Sequence, residues 1–239
     1  MKLKSFAILK NNSKPWTGIV AKKIIEFLKK ANIKQTNPKS AQIIITIGGD
    51  GTLLYYKNFY KKPFLAIGTK KSWLAAATDQ NYISYLKRIL KKGFFLEKRA
   101  MISWFLNSKK MPDCLNELTI RNKEHRIVEF ELKIKNKTYK FLGDGIIFSS
   151  PTGSSAYAYS CGGKELSPTS SKYEIVPIAP YRRKFKPLVL SKSTKSKLLI
   201  KTTCQTDAVV DGQIEYPLKN NTLIYVQLSK KYFEFVKAY

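Results

Sequence analysis

The sequence feature that most constrains this chain is the β-branched run Ile43 to Ile47, followed at once by Gly48-Gly49-Asp50-Gly51-Thr52. A short run of this kind favours a buried strand, and the glycines let the main chain turn sharply and approach a ligand closely. In open α/β sheets, ligands bind at the carboxyl ends of the strands, and the N–H groups of a glycine-rich turn suit phosphate. Asp50 would then serve as a base or as an acceptor beside a metal. The alternative is a purely structural turn in which Asp50 caps the following helix.

Strands and helices alternate through the first part of the chain. Apolar residues recur at three- and four-residue steps after Pro15, which favours an amphipathic helix. Another predicted helix, at 82–90, ends before Gly93. The predicted elements are strands at 4–9, 43–47 and 63–68 and helices at 15–31, 52–59 and 82–90. This order predicts an α/β domain with a doubly wound, mainly parallel sheet over residues 1–93.

The sequence pattern changes at Phe94, after which short runs typical of β-strands follow one another. Turns of Asn, Lys and Gly separate the runs, and one helix-compatible stretch at 153–160 interrupts them. The predicted strands are 95–106, 116–121, 127–134, 137–142, 145–149, 173–178, 197–201, 208–211 and 222–228. We therefore predict an all-β domain, a β-sandwich, over residues 94–239, whose last residues are able to return to the first domain.

Charge and cysteine content limit the classes of function. The net charge of +28 attracts anions, but only six of the 44 basic residues are Arg, and Lys is spread along the whole chain. Because bidentate recognition of phosphates and bases favours Arg, this charge does not predict a specific nucleic-acid surface. Three distant cysteines and a single histidine, His125, argue against a disulfide framework, a zinc site and a Ser-His-Asp triad. No apolar run approaches a membrane span, so we expect a cytoplasmic protein that does not bind membranes.

A second stretch with candidate ligand-binding residues covers residues 142–163. It places Asp144 between two glycines, continues through a strand into Pro151-Thr152-Gly153, and then opens a helical turn with Ser154-Ser155. Small hydroxyl groups there donate to an anionic or ribose-bearing ligand, and Tyr157 offers a ring on which a base stacks. The alternative is that the hydroxyls only cap the turn and the tyrosine only packs.

Two shorter patterns carry less information. Asn116 and Glu117 put an amide beside a carboxylate at the start of a strand, where a regular strand turns neighbouring side chains to opposite faces. Asp211-Gly212-Gln213 is typical of a hairpin turn, with Gln213 available to hydrogen-bond a ligand. For both patterns, a purely structural role is the favoured local interpretation.

The motifs gain meaning from their order along the chain. In sequence they are Ile47-Gly48-Gly49-Asp50-Gly51-Thr52-Leu53-Leu54, Asn116-Glu117, Gly143-Asp144-Gly145, Pro151-Thr152-Gly153-Ser154-Ser155-Ala156-Tyr157, Gly162-Gly163, Pro177-Ile178-Ala179-Pro180 and Asp211-Gly212-Gln213. Together they resemble the NAD kinase family over nearly the whole chain. The first motif is shared with diacylglycerol-kinase-like lipid kinases, whereas the long motif from Gly143 to Tyr157 is highly specific.

The resemblance implies a kinase that transfers a phosphoryl group from ATP or polyphosphate to the 2′-hydroxyl of the adenosine ribose of NAD, giving NADP. It also implies a homodimer or homotetramer, and Mg²⁺ or another divalent cation held chiefly by the donor phosphates and water. By position, Asp50 matches the acid that takes the hydroxyl proton. The positions matched to the phosphate-cradling turn are Gly48, Gly49, Gly51 and Thr52. The positions matched to other nucleotide contacts are Asn116, Glu117, Arg126, Asp144, Thr152, Ser155, Ala156, Tyr157, Ser160, Ala179 and Gln213.

The loop after the third strand departs from the family pattern. Family members usually have Gly-Ile-Asn-x-Gly-x-Leu-Gly-Phe-Leu where this chain has Ala66-Ile67-Gly68-Thr69-Lys70-Lys71-Ser72-Trp73-Leu74-Ala75. Gly68 replaces the Asn, and Lys70 and Trp73 replace the two later glycines, so the approach of this loop to a nucleotide is expected to differ. Two alternatives stay open, namely a related lipid or small-molecule kinase and an inactive relative that binds polyanions.

Overall fold

The computed structural model describes residues 1–124 and 126–239, and His125 lies outside the described residues. The chain divides into two compact units. The first contains Met1–Lys98 together with Glu234–Tyr239, and the second contains Arg99–Phe233. The predicted α/β domain was placed at residues 1–93, so the first unit runs a few residues further and also takes in the last residues of the chain.

The first unit is built on a parallel sheet. Its strands are β1 Ser5–Lys10, β2 Lys34–Gln35, β3 Ile43–Ile47, β4 Phe64–Gly68 and β5 Ala77–Thr78, and its helices are α1 Pro15–Lys30, α2 Asp50–Tyr56 and α3 Tyr82–Lys92. The strands pair in parallel in the order β5-β4-β3-β1-β2. All of β3 and β4 is buried, as the apolar runs predict. The glycine turn therefore follows a central, covered strand.

The helices of the first unit follow their sequence patterns. Helix α1 starts at Pro15 and buries Val20, Ile24 and Leu28 on one face, at the spacing of an amphipathic helix. Helix α3 ends at Gly93, where φ is +85° and an added Cβ would lie 2.6 Å from the carbonyl oxygen of Met1. Only glycine fits that close approach without strain. Within the described ranges, no helix is long and apolar enough to cross a membrane.

The second unit consists mainly of antiparallel strands. Its strands are β6 Phe94–Leu106, β7 Lys109–Lys110, β8 Glu117–Asn122, β9 Val128–Ile134, β10 Lys137–Gly143, β11 Gly145–Ser149, β12 Lys172–Ile178, β13 Leu188–Ser191, β14 Ser196–Lys201, β15 Thr206–Val210, β16 Ile214–Leu218 and β17 Thr222–Ala238, of which β6 begins and β17 ends in the first unit. Helix α4 is Tyr157–Ser160, and 3₁₀ turns occupy Gly153–Ser155 and Tyr181–Arg183.

Two sheets of the second unit share one apolar core. Strands β10, β9, β14 and β17 are neighbours in one sheet, and the other has the order β13-β12-β11-β8-β15-β16. Phe130 of the first sheet and Phe148 of the second belong to the same buried cluster, together with Trp104 and Tyr173. Burial of large aromatic side chains of this kind supplies most of the stabilisation of such a core.

Five strands were missing from the sequence prediction, and one other strand is longer than predicted. The missing strands are the two-residue strands β2, β5 and β7 and the longer strands β13 and β16. Strands β13 and β16 are the two edges of their sheet, and β16 contains Pro217. Proline cannot donate to a ladder and is confined to edges, so it masks a strand in the sequence pattern. Strand β17 was predicted to end at Leu228 but continues to Ala238.

The extension of β17 completes the sheet of the first unit. Phe235 pairs in parallel with Phe64 of β4. The N–H of Ala238 donates to the hydroxyl of Tyr85 at 2.9 Å, and the guanidinium of Arg88 donates to the carbonyl of Tyr239 at 3.1 Å. The last residues of the chain are thus held by both the sheet and helix α3.

Candidate functional site

The glycine turn of the first unit lies between β3 and α2. Gly48 has φ of +154°, and a Cβ placed there would lie 2.3 Å from the hydroxyl oxygen of Thr52. This contact leaves no room for a side chain, so glycine is required at Gly48 by packing as well as by conformation. Helix α2 starts at Asp50, immediately after Gly49.

Asp50 holds the loop that follows β4. Its Oδ2 accepts a hydrogen bond from the N–H of Trp73 at 2.8 Å, and its Oδ1 accepts one from the N–H of Leu74 at 3.1 Å. The hydroxyl of Ser72 accepts the N–H of Thr69 at 3.1 Å and closes the same loop from within. The segment that departs from the family pattern is therefore fixed to the predicted catalytic acid, and it presents Trp73 with 79% of its surface exposed.

In the second unit, Asp211 organises the start of β8. Its carboxylate accepts hydrogen bonds from three consecutive main-chain N–H groups, those of Leu115 at 3.0 Å, Asn116 at 2.7 Å and Glu117 at 3.2 Å. Asp211 is only 2% exposed and has φ of +51°, which Asp tolerates better than most residues. The predicted hairpin turn between β15 and β16 is confirmed, and its first residue anchors the Asn116-Glu117 pair.

Three buried polar atoms next to this anchor have no hydrogen-bond partner among the described residues, namely Asn116 Oδ1, Glu117 Oε2 and Thr152 Oγ1. The loop that carries Thr152 packs directly on Asn116, because a Cβ on Gly153 would lie 2.3 Å from the Asn116 carbonyl oxygen. The N–H of Ser150 donates to that same carbonyl at 2.8 Å. Buried groups without partners are uncommon in folded proteins, so these three atoms are candidates to bind a polar ligand.

A cavity of about 550 Å³ lies on this side of the second sheet. It is lined by Glu117, Thr119, Arg121, Asn122, Lys123, Tyr157, Asp207, Val209, Gly212 and Glu215. Glu117 and Tyr157, from two separate motifs of the sequence, thus share one wall. Its size is within the range of sites for small molecules and cofactors.

The titratable side chains of the cavity include one ion-paired cluster, the buried acid Glu117, Tyr157 and Arg121. Lys123 forms ion pairs with the fully buried Asp207 and, at 2.7 Å, with Glu215. Burial raises the pKa of Glu117 to about 8, and the negative charge of Asp211 adds to the rise. Burial also raises the pKa of Tyr157. With its pKa raised to about 8, the Glu117 side chain is mainly protonated at neutral pH and is able to donate one hydrogen bond to a ligand.

The structure brings some predicted residues together and leaves others elsewhere. Gly48 to Thr52 form one turn in the first unit. In the second, Asp211 holds the main chain of Asn116 and Glu117, the loop that carries Thr152 packs on Asn116, and Tyr157 shares the cavity with Glu117. Asp144, Ala156, Ser160, Ala179, Gln213 and Arg126 are exposed, Ser155 is half-buried, and none of these seven is among the described residues that line the cavity.

Sequence reasoning missed much of the cavity wall. Thr119 and Arg121 alternate with Glu117 along β8, and Asp207 and Val209 lie opposite them on β15. A two-residue period is the signal that could have found them, because alternate residues of a strand share one face. In the part of the chain that the structure describes, no group of three or more His, Cys, Asp or Glu side chains could hold a metal ion.

Comparison with known proteins agrees with the motifs. Residues 115–238 match the ATP-NAD kinase C-terminal domain. The NAD kinase of Methanothermobacter thermautotrophicus is 32% identical over 205 residues, which cover 82% of this chain and 72% of that protein. The crystal structure of an NAD kinase from Archaeoglobus fulgidus in complex with ATP has a TM-score of 0.84 and 25% identity, over 98% of this chain and 94% of that one.

A more distant structure has the same fold. Yeast NADH kinase, in complex with NADH, also has a TM-score of 0.84, at 20% identity over 100% of this chain and 84% of that one. These likenesses support the two-domain fold expected from the sequence. The order of the motifs, the matched domain and the archaeal relative lead to one assignment, and the chain belongs to the NAD kinase family of phosphotransferases.

Proposed function

We propose that this protein phosphorylates the 2′-hydroxyl of the adenosine ribose of NAD and so makes NADP, with ATP or polyphosphate as the donor. The observation that carries the proposal is the set of buried atoms of Asn116, Glu117 and Thr152 that have no partner among the described residues, together with the cavity that Glu117 and Tyr157 both line. Ribose hydroxyls and a carboxamide supply the donors and acceptors that these atoms lack. The tyrosine ring offers a face for the base.

Asp50 is proposed as the acceptor of the hydroxyl proton. A carboxylate has about four lone-pair positions, of which the N–H groups of Trp73 and Leu74 take two. Asp50 therefore remains able to accept a ribose hydroxyl while it holds the loop. The hydroxyl oxygen bonds to the transferred phosphorus as the bond from that phosphorus to the donor oxygen breaks, and the proton passes to Asp50. Transfer through a loose transition state depends mainly on such positioning.

The divalent cation is expected to arrive with the donor. The described residues include no group of three or more His, Cys, Asp or Glu side chains suited to hold a cation. A cation bound by the phosphates of the donor and by water fits that arrangement, as is usual for Mg²⁺. We retain a cytoplasmic homodimer or homotetramer as an expectation, which light scattering coupled to size-exclusion chromatography would test.

The direct test is incubation of the purified protein with NAD, Mg²⁺ and either ATP or polyphosphate, followed by an enzymatic assay for NADP. Formation of NADP with one donor and not the other would assign the donor. Failure with both donors, together with phosphorylation of a lipid headgroup, would replace the proposal with the lipid kinase alternative. Failure with both, together with salt-sensitive binding of polyanions, would favour an inactive relative.

The role of Asp50 is tested by Asp50→Asn, with Ser72→Ala as the matched control. We expect Asp50→Asn to lower kcat by about 10²- to 10⁴-fold, the usual contribution of a general base, with little change in NAD binding. Ser72→Ala removes the internal bond of the loop but keeps the acid, and it should leave kcat within about threefold of the starting value, because a neutral hydrogen bond contributes little. Equal losses of kcat in the two variants would assign Asp50 to loop structure rather than to proton transfer.

A further inference from the structure

We propose a second anion site in the second unit, one that binds a chain of condensed phosphates. It is a pocket of about 590 Å³ between the start of β12, the turn that joins β13 to β14, and the middle of β17. Its lining consists of Ser171, Lys172, Ser191, Lys192, Ser193, Lys195, Gln227, Leu228, Ser229 and Lys230. We refer to it as the lysine pocket. This inference does not depend on the proposed function.

The described lining of the lysine pocket is rich in lysine and serine. Four lysines and four serines line it, and the described lining includes no carboxylate. The acid Asp113 is bonded to one residue of the lining, since its Oδ2 accepts the hydroxyl of Ser229 at 2.9 Å, and its Oδ1 is ion-paired with Lys110. Four lysines at one concavity, with no carboxylate in the described lining, attract anions. An anion with several charges along its length is able to interact with more than one of these lysines at once.

The turn that carries two of the lysines is structured. The hydroxyl of Ser191 hydrogen-bonds those of Thr194 at 2.9 Å and Ser193 at 3.2 Å. The ammonium of Lys192 donates to the hydroxyl of Tyr232 at 2.8 Å, and it lies 5.3 Å from the centre of that ring. Lys192 is thus positioned before any ligand binds, which lowers the entropy that binding has to overcome.

The chemistry of the lining favours phosphate over a nucleobase. Among the described residues that line the lysine pocket there is no aromatic side chain, and the cationic ones are all lysines. Lysine acts as a point charge with rotatable donors, whereas sequence readout of nucleic acids relies on the planar fork of arginine. Serine hydroxyls add donors that suit phosphate oxygens. A linear triphosphate or a longer chain supplies matching charges without a base.

The lysine pocket is separate from the cavity that contains Glu117 and Tyr157. The cavity is lined from β8, β15 and β16, at one edge of the second sheet. The lysine pocket is lined from β12 and β13, at the opposite edge of that sheet. A ligand in one of them therefore does not compete with a ligand in the other for the same side chains.

Chemical footprinting of the full chain provides a site-resolved test. Lysines are acetylated with a limiting reagent in the presence and absence of inorganic triphosphate, and each position is quantified by mass spectrometry. We expect triphosphate to protect Lys172, Lys192, Lys195 and Lys230 at least about fivefold, because a bound anion blocks the ammonium groups. Exposed lysines on helices α1 and α3, such as Lys22 and Lys87, should be protected less than about twofold. Uniform protection along the chain would overturn the proposal.

Charge-matched variants give a second test. The pocket variant replaces four lysines with glutamine, at Lys172, Lys192, Lys195 and Lys230. The control variant makes the same number of replacements at exposed helical positions, at Lys22, Lys23, Lys87 and Lys91. Both variants carry the same net charge, so general attraction of anions is lowered equally. In calorimetric titration with inorganic triphosphate, the pocket variant should lose a class of binding site, or bind it at least about tenfold more weakly, while the control keeps it.

Further ligands distinguish the source of the phosphates. ATP that binds the pocket with the affinity of inorganic triphosphate would support recognition of the phosphate chain alone, whichever molecule carries it. An RNA oligonucleotide of equal charge that binds more tightly, with a preference lost in the pocket variant, would overturn the proposal in favour of nucleic acid. Equal weakening in the pocket and control variants would also overturn it.

Discussion

Replacing Asp211 with asparagine is expected to destabilise the second unit by about 2–4 kcal/mol. Each buried donor without an acceptor costs about 1–3 kcal/mol, and hydrogen bonds to a charged acceptor are stronger than those to a neutral one. The Asp211 carboxylate accepts two N–H groups at Oδ1 and one at Oδ2. An amide keeps one oxygen for the first pair and turns its NH₂ group towards the N–H of Leu115. The contact with Leu115 then places two donors opposite each other. The N–H groups of Asn116 and Glu117 still have an acceptor, but it is a neutral amide oxygen instead of a charged carboxylate oxygen.

Asparagine isolates the loss of the charged acceptor because it tolerates the backbone conformation at this position. The φ of +51° at Asp211 disfavours alanine, whereas asparagine adopts the left-handed region more readily than most residues. Glu165→Gln is the matched control, since it removes the same charge from an exposed position of the same unit. Its expected cost is within about 0.5 kcal/mol, as for most surface substitutions.

The assay is urea unfolding followed by the fluorescence of Trp104, which is buried in the core of the second unit. Because the chain has three tryptophans, a background with Trp16→Phe and Trp73→Phe leaves Trp104 as the reporter of that unit. NAD binding should weaken in parallel, since the anchored residues include Asn116 and Glu117. A loss of unfolding free energy equal to that of the control would refute the idea that Asp211 holds the start of β8.

The remaining predictions concern Glu117 and two glycines. Because the pKa of Glu117 is raised to about 8 in the folded chain, the native state binds an extra proton between about pH 4.5 and pH 8, and stability should fall as the pH rises through that window. Glu117→Gln should abolish that decline, as measured by unfolding at several pH values, and a decline of the same size in the variant would contradict its assignment to Glu117. Gly153→Ala should cost about 2 kcal/mol or more, because the new Cβ meets the Asn116 main chain, and it should raise the KM for NAD. Gly18→Ala in α1 meets nothing within 4 Å and should instead stabilise the protein by up to about 1 kcal/mol, so a loss at Gly18 would contradict the packing argument.

Local patterns predicted the elements well where neighbouring residues decide the structure. The β-branched run at β3 and the glycine turn after it, the amphipathic helix α1 and the stop of α3 at Gly93 all follow from short-range rules. The site was predictable to the extent that its motifs are contiguous in sequence. Tyr157 was identified from its own stretch of sequence and Glu117 only through the family resemblance, and only the pairing of β8 and β11 with their neighbours shows that they share a cavity.

The contacts that could not be predicted join distant parts of the chain. Nothing near Asp211 in the sequence indicates that its carboxylate binds the N–H groups of residues 115–117. Likewise, the attachment of Asp50 to the loop of Trp73 depends on how β3 and β4 lie side by side. The edge strands β13 and β16 were not predicted for a different reason. Their solvent-facing residues, and Pro217 in β16, weaken the hydrophobic pattern that indicates a strand.

The return of Glu234–Tyr239 to the first unit has a consequence for biosynthesis. Strand β4 gains its partner Phe235 only after every residue of the second unit has left the ribosome. During translation the first unit is therefore an incomplete sheet with one open edge beside Phe64, while the second unit has its whole sequence available first. We expect the nascent chain to acquire protease resistance in reverse order of its domains, with the amino-terminal unit becoming resistant last.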